Sequence, residues 1–279
     1  MVIFEQTKQY SYRDPAAYYE NGTIYLFYTL VENTERNQYF YVAMSQSNDF
    51  LHWSEPKILT PKDTDKNFSS PGNIIKYQEA YYLCLQTYPR KESQIYGNET
   101  SRIFTMKSTD LIHWEEPVLL KVKGEIPEKE MGRMIDPYLL EDKEHFICFF
   151  KQNGVSFSTS DDLVHWTFQG YTECGENVCV IKKEDEYLIF NSPKNGINIL
   201  STKDFKTFTP RTTLYLNQQN KPWAKDRITA GFVLELNADC IPYRYVMFYH
   251  GDNEDDYLFG ATLAVAFSND LEVWEDEFL

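Results

Sequence analysis

Three carboxylates in this chain open copies of one repeated phrase, and what they can do depends on whether the fold gathers them. Asp14 opens DPAAYYENGTIYLFYT, Asp136 opens DPYLLEDKEHFICFF and Glu176 opens ENVCVIKKEDEYLIFNS. The same register is filled by Ser70 in SPGNIIKYQEAYYLCLQ and by Thr229–Ala230 ahead of GFVLELNADCIPYRYVMFYH. Taken singly, each acid reads as a turn or loop residue, since Asp before Pro commonly starts a turn. Taken together at one register they are harder to explain structurally, because crowded carboxylates repel and raise one another's pKa values. Cleavage of a glycosidic bond uses such crowding: one carboxylic acid protonates the departing oxygen while a carboxylate activates water.

The surrounding phrases say which elements must hold these residues. Each of the five is an apolar run, a polar or Gly/Asn turn, and a second run rich in Tyr, Phe, Ile, Leu and Val. That is a hairpin pattern, and Asn21-Gly22 supplies the positive-φ residues of a tight turn. A third run follows, as in YFYVAMSQS (39–47) and GVSFSTS (154–160). It leads into a second repeat: SNDFLHW (47–53), STDLIHW (108–114), SDDLVHW (160–166), TKDFKTF (202–208) and SNDLEVW (268–274). In this phrase the Asp should cap backbone N–H groups of a turn between third and fourth strands, while the aromatic packs between neighbouring sheets. Five strand-like repeats of this length indicate radially arranged four-stranded sheets. The expected fold is all-β, a five-bladed β-propeller spanning residues 1–279 as a single domain. The first strand of each blade lines the central channel, so the carboxylates converge at its mouth.

Composition narrows the partners. A net charge of −15 argues against nucleic acid or an anionic membrane, both of which call for clustered Lys and Arg. The segment MVIFEQTKQYSYRDP lacks the basic and apolar regions of a signal peptide, and no run approaches the ~20 apolar residues of a membrane helix. Five cysteines, an odd number without a Cys-x-x-Cys pair, fit a reduced, cytoplasmic protein. An aromatic share of 16% suits stacked sheets and equally a carbohydrate site.

Asp14 in RDPAAYY, Asp136 in MIDPYLL and Glu176 in ENVCVIKK, set on five blades, resemble glycoside hydrolase family 43 and its relatives in families 32 and 117, over essentially the whole chain from Asp14 to Trp274. The resemblance implies Asp14 as general base, Asp136 as the residue that tunes and orients, and Glu176 as general acid. Family 43 usually writes Glu-Gly-Pro at the acid, whereas this chain has Glu176-Asn177-Val178. Glu173-Cys174 is similar to the Glu-Cys acid of family 32, so Glu173 competes; the spacing of the runs that follow favours Glu176. His250 in VMFYHGDNED resembles the family's channel histidine, which often accompanies an ion or ordered water. No cluster of His, Cys, Asp and Glu has ligand-like spacing, so no metal is assigned and no other cofactor is expected. Arg227 matches a substrate-contacting arginine whose fork can bond sugar hydroxyls. Trp223, in the same loop, either stacks on a sugar or covers the channel rim. Ser70 joins Arg227, His250 and Trp223 as a substrate-binding candidate, while Arg13 and Arg133 lie beside the acids. His52, His113 and His165 precede the marker tryptophans and read as structural. The activity implied is inverting hydrolysis of terminal arabinofuranosyl or xylosyl units from oligosaccharides. One alternative is a family 32-like β-fructosidase with Asp14 as nucleophile and retention, although its Asn-Asp-Pro-Asn-Gly leader is replaced by Arg13-Asp14-Pro15-Ala16-Ala17. The other is a non-catalytic glycan-binding propeller.

Overall fold

The computed structural model describes residues 1–90, 96–143, 145–172, 174–236, 241–253 and 259–278. The chain begins with a short strand, β1 (Val2–Phe4). Blade one then follows as β2 (Tyr10–Glu20), β3 (Thr23–Asn33), β4 (Gln38–Ser47) and β5 (Lys57–Ile58). Blade two is β6 (Phe68–Tyr77), β7 (Ala80–Thr87), β8 (Ile103–Ser108) and β9 (Val118–Leu119). A single helical turn, α1 (Glu128–Met131), precedes blade three: β10 (Ile135–Asp142), β11 (His145–Lys151), β12 (Val155–Ser160) and β13 (Thr167–Thr172). Blade four is β14 (Glu176–Lys182), β15 (Tyr187–Ser192), β16 (Ile197–Thr202) and β17 (Thr209–Leu214). Blade five has three strands of its own, β18 (Arg227–Glu235), β19 (Tyr245–Asp252) and β20 (Thr262–Ser268). Its fourth is β1, which pairs antiparallel with β20 through Val2 and Ala264. The first and last strands of the chain thus close the ring. The five-bladed propeller read from the repeats is the observed fold.

The inner strands β2, β6, β10, β14 and β18 pack side by side around the channel. They approach closely enough that Gly72 is obligatory: a Cβ there would lie 1.7 Å from the Pro137 carbonyl oxygen. Outside them lies a continuous aromatic and aliphatic core, in which Phe27, Phe149, Phe190 and Phe248 are fully buried. No helix among the described residues is long and apolar enough to cross a membrane.

The marker phrase forms the turn after the third strand of every blade. In blade one, Asp49 Oδ1 accepts the N–H groups of Leu51 (2.9 Å) and His52 (2.8 Å), and Ser47 Oγ accepts those of Asp49 and Phe50. Asp110, Asp162, Asp204 and Asp270 repeat the arrangement. His52, His113 and His165 bond these aspartates at the surface. The burial differs from expectation. The residue after each Asp (Phe50, Leu111, Leu163, Phe205, Leu271) is buried at positive φ, whereas Trp53, Trp114 and Trp274, with Phe208 in blade four, are half-buried. Only Trp166 is sequestered, at 4% exposure. The turn drives its second residue into the core and leaves the indole lying across it, with Nε1 on the Phe50, Leu111, Leu163 or Leu271 carbonyl. Trp114 still meets the neighbouring blade through Phe27, and Trp53 through Phe248.

Candidate active site

Every inner strand is interrupted near its start by a β-bulge. The residues at the break are Asp14, Ser70, Asp136, Asn177 and Ala230, all at positive φ between 41° and 53°. Non-glycine residues rarely adopt that region, and bulges re-aim side chains where they occur. Pro15, Pro71 and Pro137 follow three of the five. A proline has no N–H to leave unpaired where the ladder breaks.

The bulge corrects the register expected from sequence. Glu176 pairs with Ser192 as Arg13 pairs with Thr29, so Asn177, not Glu176, stands at the position of Asp14 and Asp136. In blade five that position belongs to Ala230, and Thr229 precedes it. Glu176 still reaches the site, because the residue before the bulge also lines the cavity in each blade: Arg13, Ser69, Ile135, Glu176 and Thr229.

Facing these residues on the second strands are Thr29, Gln86, Lys151, Ser192 and His250. Four of them accept the bulge N–H of the next blade. Ser70 N–H donates to Thr29 Oγ1 (2.7 Å), Asp136 N–H to Gln86 Oε1 (2.5 Å), Ala230 N–H to Ser192 Oγ (2.9 Å) and Asp14 N–H to His250 Nδ1 (3.1 Å). The blades are thereby stitched together at the channel mouth. Lys151 breaks the pattern, since an ammonium has no lone pair to offer. It forms an ion pair with Glu176 instead.

These residues enclose a cavity of about 500 Å³, within the range of small-molecule sites. Below the bulges the channel narrows to a void of about 30 Å³, lined by Pro15, Pro71, Gly72 and Pro137 among others. Asp14, Ser70, Asp136, Glu176, Arg227 and His250 all line it. Trp223 does not: its ring lies against Tyr249, centroids 6.0 Å apart, and over the backbone of Gly251. Glu173, the alternative acid, lies outside the described residues.

Asp14 is the best-anchored of the acids. Its Oδ2 accepts hydroxyl hydrogen bonds from Thr29 (3.1 Å) and Ser70 (3.2 Å). Ser70 therefore supports Asp14 directly. For Asp136, burial pushes the carboxyl up to about 6, with Asp14 adding to the rise and Lys151, Arg133 and Arg13 opposing it. His250 is 1% exposed, and burial, then Arg13 and Arg227, hold its pKa well below the ordinary value. It is neutral, and its Nδ1 lone pair is taken by Asp14 N–H, so the proton sits on Nε2. With its Nδ1 lone pair taken and its Nε2 protonated but without a partner, His250 has no lone pair for an ion, and no group of three or more His, Cys, Asp or Glu among the described residues could hold a metal.

Sequence reading missed Lys151 and Asp252. Buried Asp252 accepts from Arg227 (3.1 Å) and lies 3.8 Å from Arg13, fixing two cavity arginines between blades five and one. Lys151 was visible in principle, as the residue closing the second apolar run of its blade where Thr29, Gln86, Ser192 and His250 close theirs. A wall of Phe40, Tyr88 and Phe259, with Arg13 over the Phe259 ring, was likewise unforeseen.

No curated protein matches the sequence. Among solved structures, a family 117 glycoside hydrolase from the marine bacterium Zobellia galactanivorans superposes with a TM-score of 0.69 at 13% identity, covering 100% of this chain and 94% of that one. The catalytic domain of a family 62 α-L-arabinofuranosidase from Coprinopsis cinerea gives 0.68 at 13%, covering 95% and 93%. An α-L-arabinanase from Cellvibrio cellulosa, solved with arabinohexaose, gives 0.65 at 16%, covering 93% of this chain and 92% of that one. At these identities the likeness is one of fold. The family assignment comes from sequence: the description "Glycosyl hydrolases family 32 N-terminal domain" matches residues 4–186. With that match over the greater part of a five-bladed propeller whose mouth gathers three acids, the chain belongs to the glycosyl hydrolase family 32 N-terminal domain family and is a glycosidase.

Proposed function

We propose that the protein removes terminal arabinofuranosyl or xylosyl units from oligosaccharides by single displacement with inversion, in the manner of family 43. The observation that carries this reading is the sharing of one cavity by Asp14, Asp136 and Glu176, with Asp14 clamped by two hydroxyls. Asp14 takes a proton from the attacking water. Glu176 gives a proton to the glycosidic oxygen; its ion pair with Lys151 must first part as the leaving group settles between them, and the freed carboxylate must take up a proton from solvent before it can donate one. Asp136 gains its negative charge above about pH 6, and a neighbouring negative charge favours the neutral form of a carboxyl. Arg227 and the Nε2–H of His250 offer donors to sugar hydroxyls. The arabinan- and arabinofuranose-directed activities of two structural neighbours support an arabinofuranosyl substrate.

The family 32 match favours a second reading, a fructofuranosyl substrate cleaved with retention, Asp14 then acting as nucleophile. In both readings the glycosyl unit that is transferred sits over Asp14. Turnover of the nitrophenyl glycosides of α-L-arabinofuranose, β-D-xylose and β-D-fructofuranose separates them, and NMR of the first-formed anomer distinguishes inversion from retention. Failure to turn over any of the three would refute the proposal. So would full turnover by Asp14→Asn on a substrate that the wild type hydrolyses.

A further inference from the structure

The chain that carries the Lys151–Glu176 pair lines two separate spaces. Both residues line the charged cavity, and their sequence neighbours line a shallow concavity of about 570 Å³ between blades three and four. Asn153 and Gly154 follow Lys151 by two and three residues, and Cys174–Gly175 immediately precede Glu176. The two spaces differ in chemistry. The cavity is lined by Arg13, Arg133, Lys151 and Arg227 together with its acids, whereas every described residue lining the concavity is uncharged. Tyr171 stands in it 57% exposed, held edge-on by Phe168 at 5.8 Å. Asn198 uses Oδ1 to accept from Thr213, which leaves its amide N–H groups for another acceptor.

We propose that this shelf seats the leaving-group side of the substrate: one or two neutral sugar residues, with one stacked on Tyr171 and bonded by Asn198. The inference rests on the reading of Glu176 as general acid. The oxygen that departs must touch the acid, and Cys174–Gly175 immediately before the acid line the concavity. The void of about 30 Å³ beneath the bulges is too small for a sugar, and the concavity is lined by the residues that flank Glu176 in sequence, so a chain that leaves the cavity past the acid meets it. The aromatic face suits a pyranose or furanose ring, and the lack of charge offers nothing to a uronate, sulfate or phosphate.

The test is binding, which does not depend on turnover. Calorimetry on the Asp14→Asn protein would compare arabinotriose, xylotriose and 1-kestose with arabinose, xylose and fructose. At least one trisaccharide should bind tenfold or more tightly than its monosaccharide. Adding Tyr171→Ala should cut that ratio about tenfold, the scale of one lost aromatic contact, and Tyr171→Phe should recover most of it. A ratio unmoved by Tyr171→Ala overturns the proposal, as does the absence of any trisaccharide preference. Failure of the glycosidic reading itself would show elsewhere, as no turnover of any nitrophenyl glycoside by the wild type.

Discussion

Replacing Asp136 by Asn should make the protein more stable at neutral pH while impairing the enzyme. Burial lifts this carboxyl from an ordinary 3.8 to about 6. Between those values the folded protein retains a proton that the unfolded chain has already released. Stability therefore falls as pH rises from about 4 to about 6, and it is constant above both. A rise of roughly two pKa units corresponds to about 3 kcal/mol. Asn does not titrate, so the variant escapes that loss. Its stability relative to wild type should improve by about 3 kcal/mol between pH 3.5 and pH 7.5, which for a chain of this length is a widening of about 6 °C in melting temperature. Scanning calorimetry of both proteins across that range measures the gap directly. Parallel melting curves, or a wild type that gains on the variant as pH rises, would refute the assignment of a buried, proton-retaining Asp136. Reduced turnover in the stabilised variant would mark the strain as functional.

Thr29→Val removes one hydroxyl from Asp14 and the acceptor of Ser70 N–H, so it should cost about 1–3 kcal/mol in denaturant unfolding and lower kcat by tenfold or more; wild-type kcat in a folded Thr29→Val protein would count against the clamp. His250 should remain the neutral Nε2–H tautomer from pH 5 to 8, which its ring ¹⁵N shifts will report, and a titration near pH 6.5 would contradict the hydrogen bond from Asp14. Trp166→Ala should cost about 3–5 kcal/mol, as for other buried large aromatics, with half-buried Trp53→Ala costing less; equal losses would mean that the two indoles are equally sequestered.

The blades were legible because their signals are local. An Asp that caps the N–H groups two and three residues on, and a hairpin written as two apolar runs, depend on nothing outside their own phrase. The closing strand was not legible: Val2–Phe4 is too short for any periodicity, and its partner lies at the other end of the sequence. The position of Glu176 was misjudged for a different reason. A bulge adds one residue without altering the apolar runs on either side, so two adjacent residues can both face the cavity and sequence spacing does not say which is which. Trp223 looked like a sugar platform only because its loop precedes an inner strand; the glycine at 251 lets the ring settle on backbone instead. Asp252 and Lys151 are made important by their neighbours on other blades, and no single-blade pattern displays that.

The way the ring is closed has a temporal consequence. Met1 and Val265 exchange backbone hydrogen bonds across a separation of 264 positions, so the last blade joins the two ends of the propeller sequence. At ribosomal rates of about 5–20 residues per second, β1 waits roughly 13–50 seconds for its partner to be synthesised. Through that interval four blades can condense in order, but the fifth cannot, and the inner faces of blades one and four remain without their shared neighbour. Ring closure is then the most non-local event in folding and the expected slow step. A chain halted before residue 262 would keep four hairpin-built sheets yet leave an unpaired edge and an open flank, the state most exposed to mispairing with another copy.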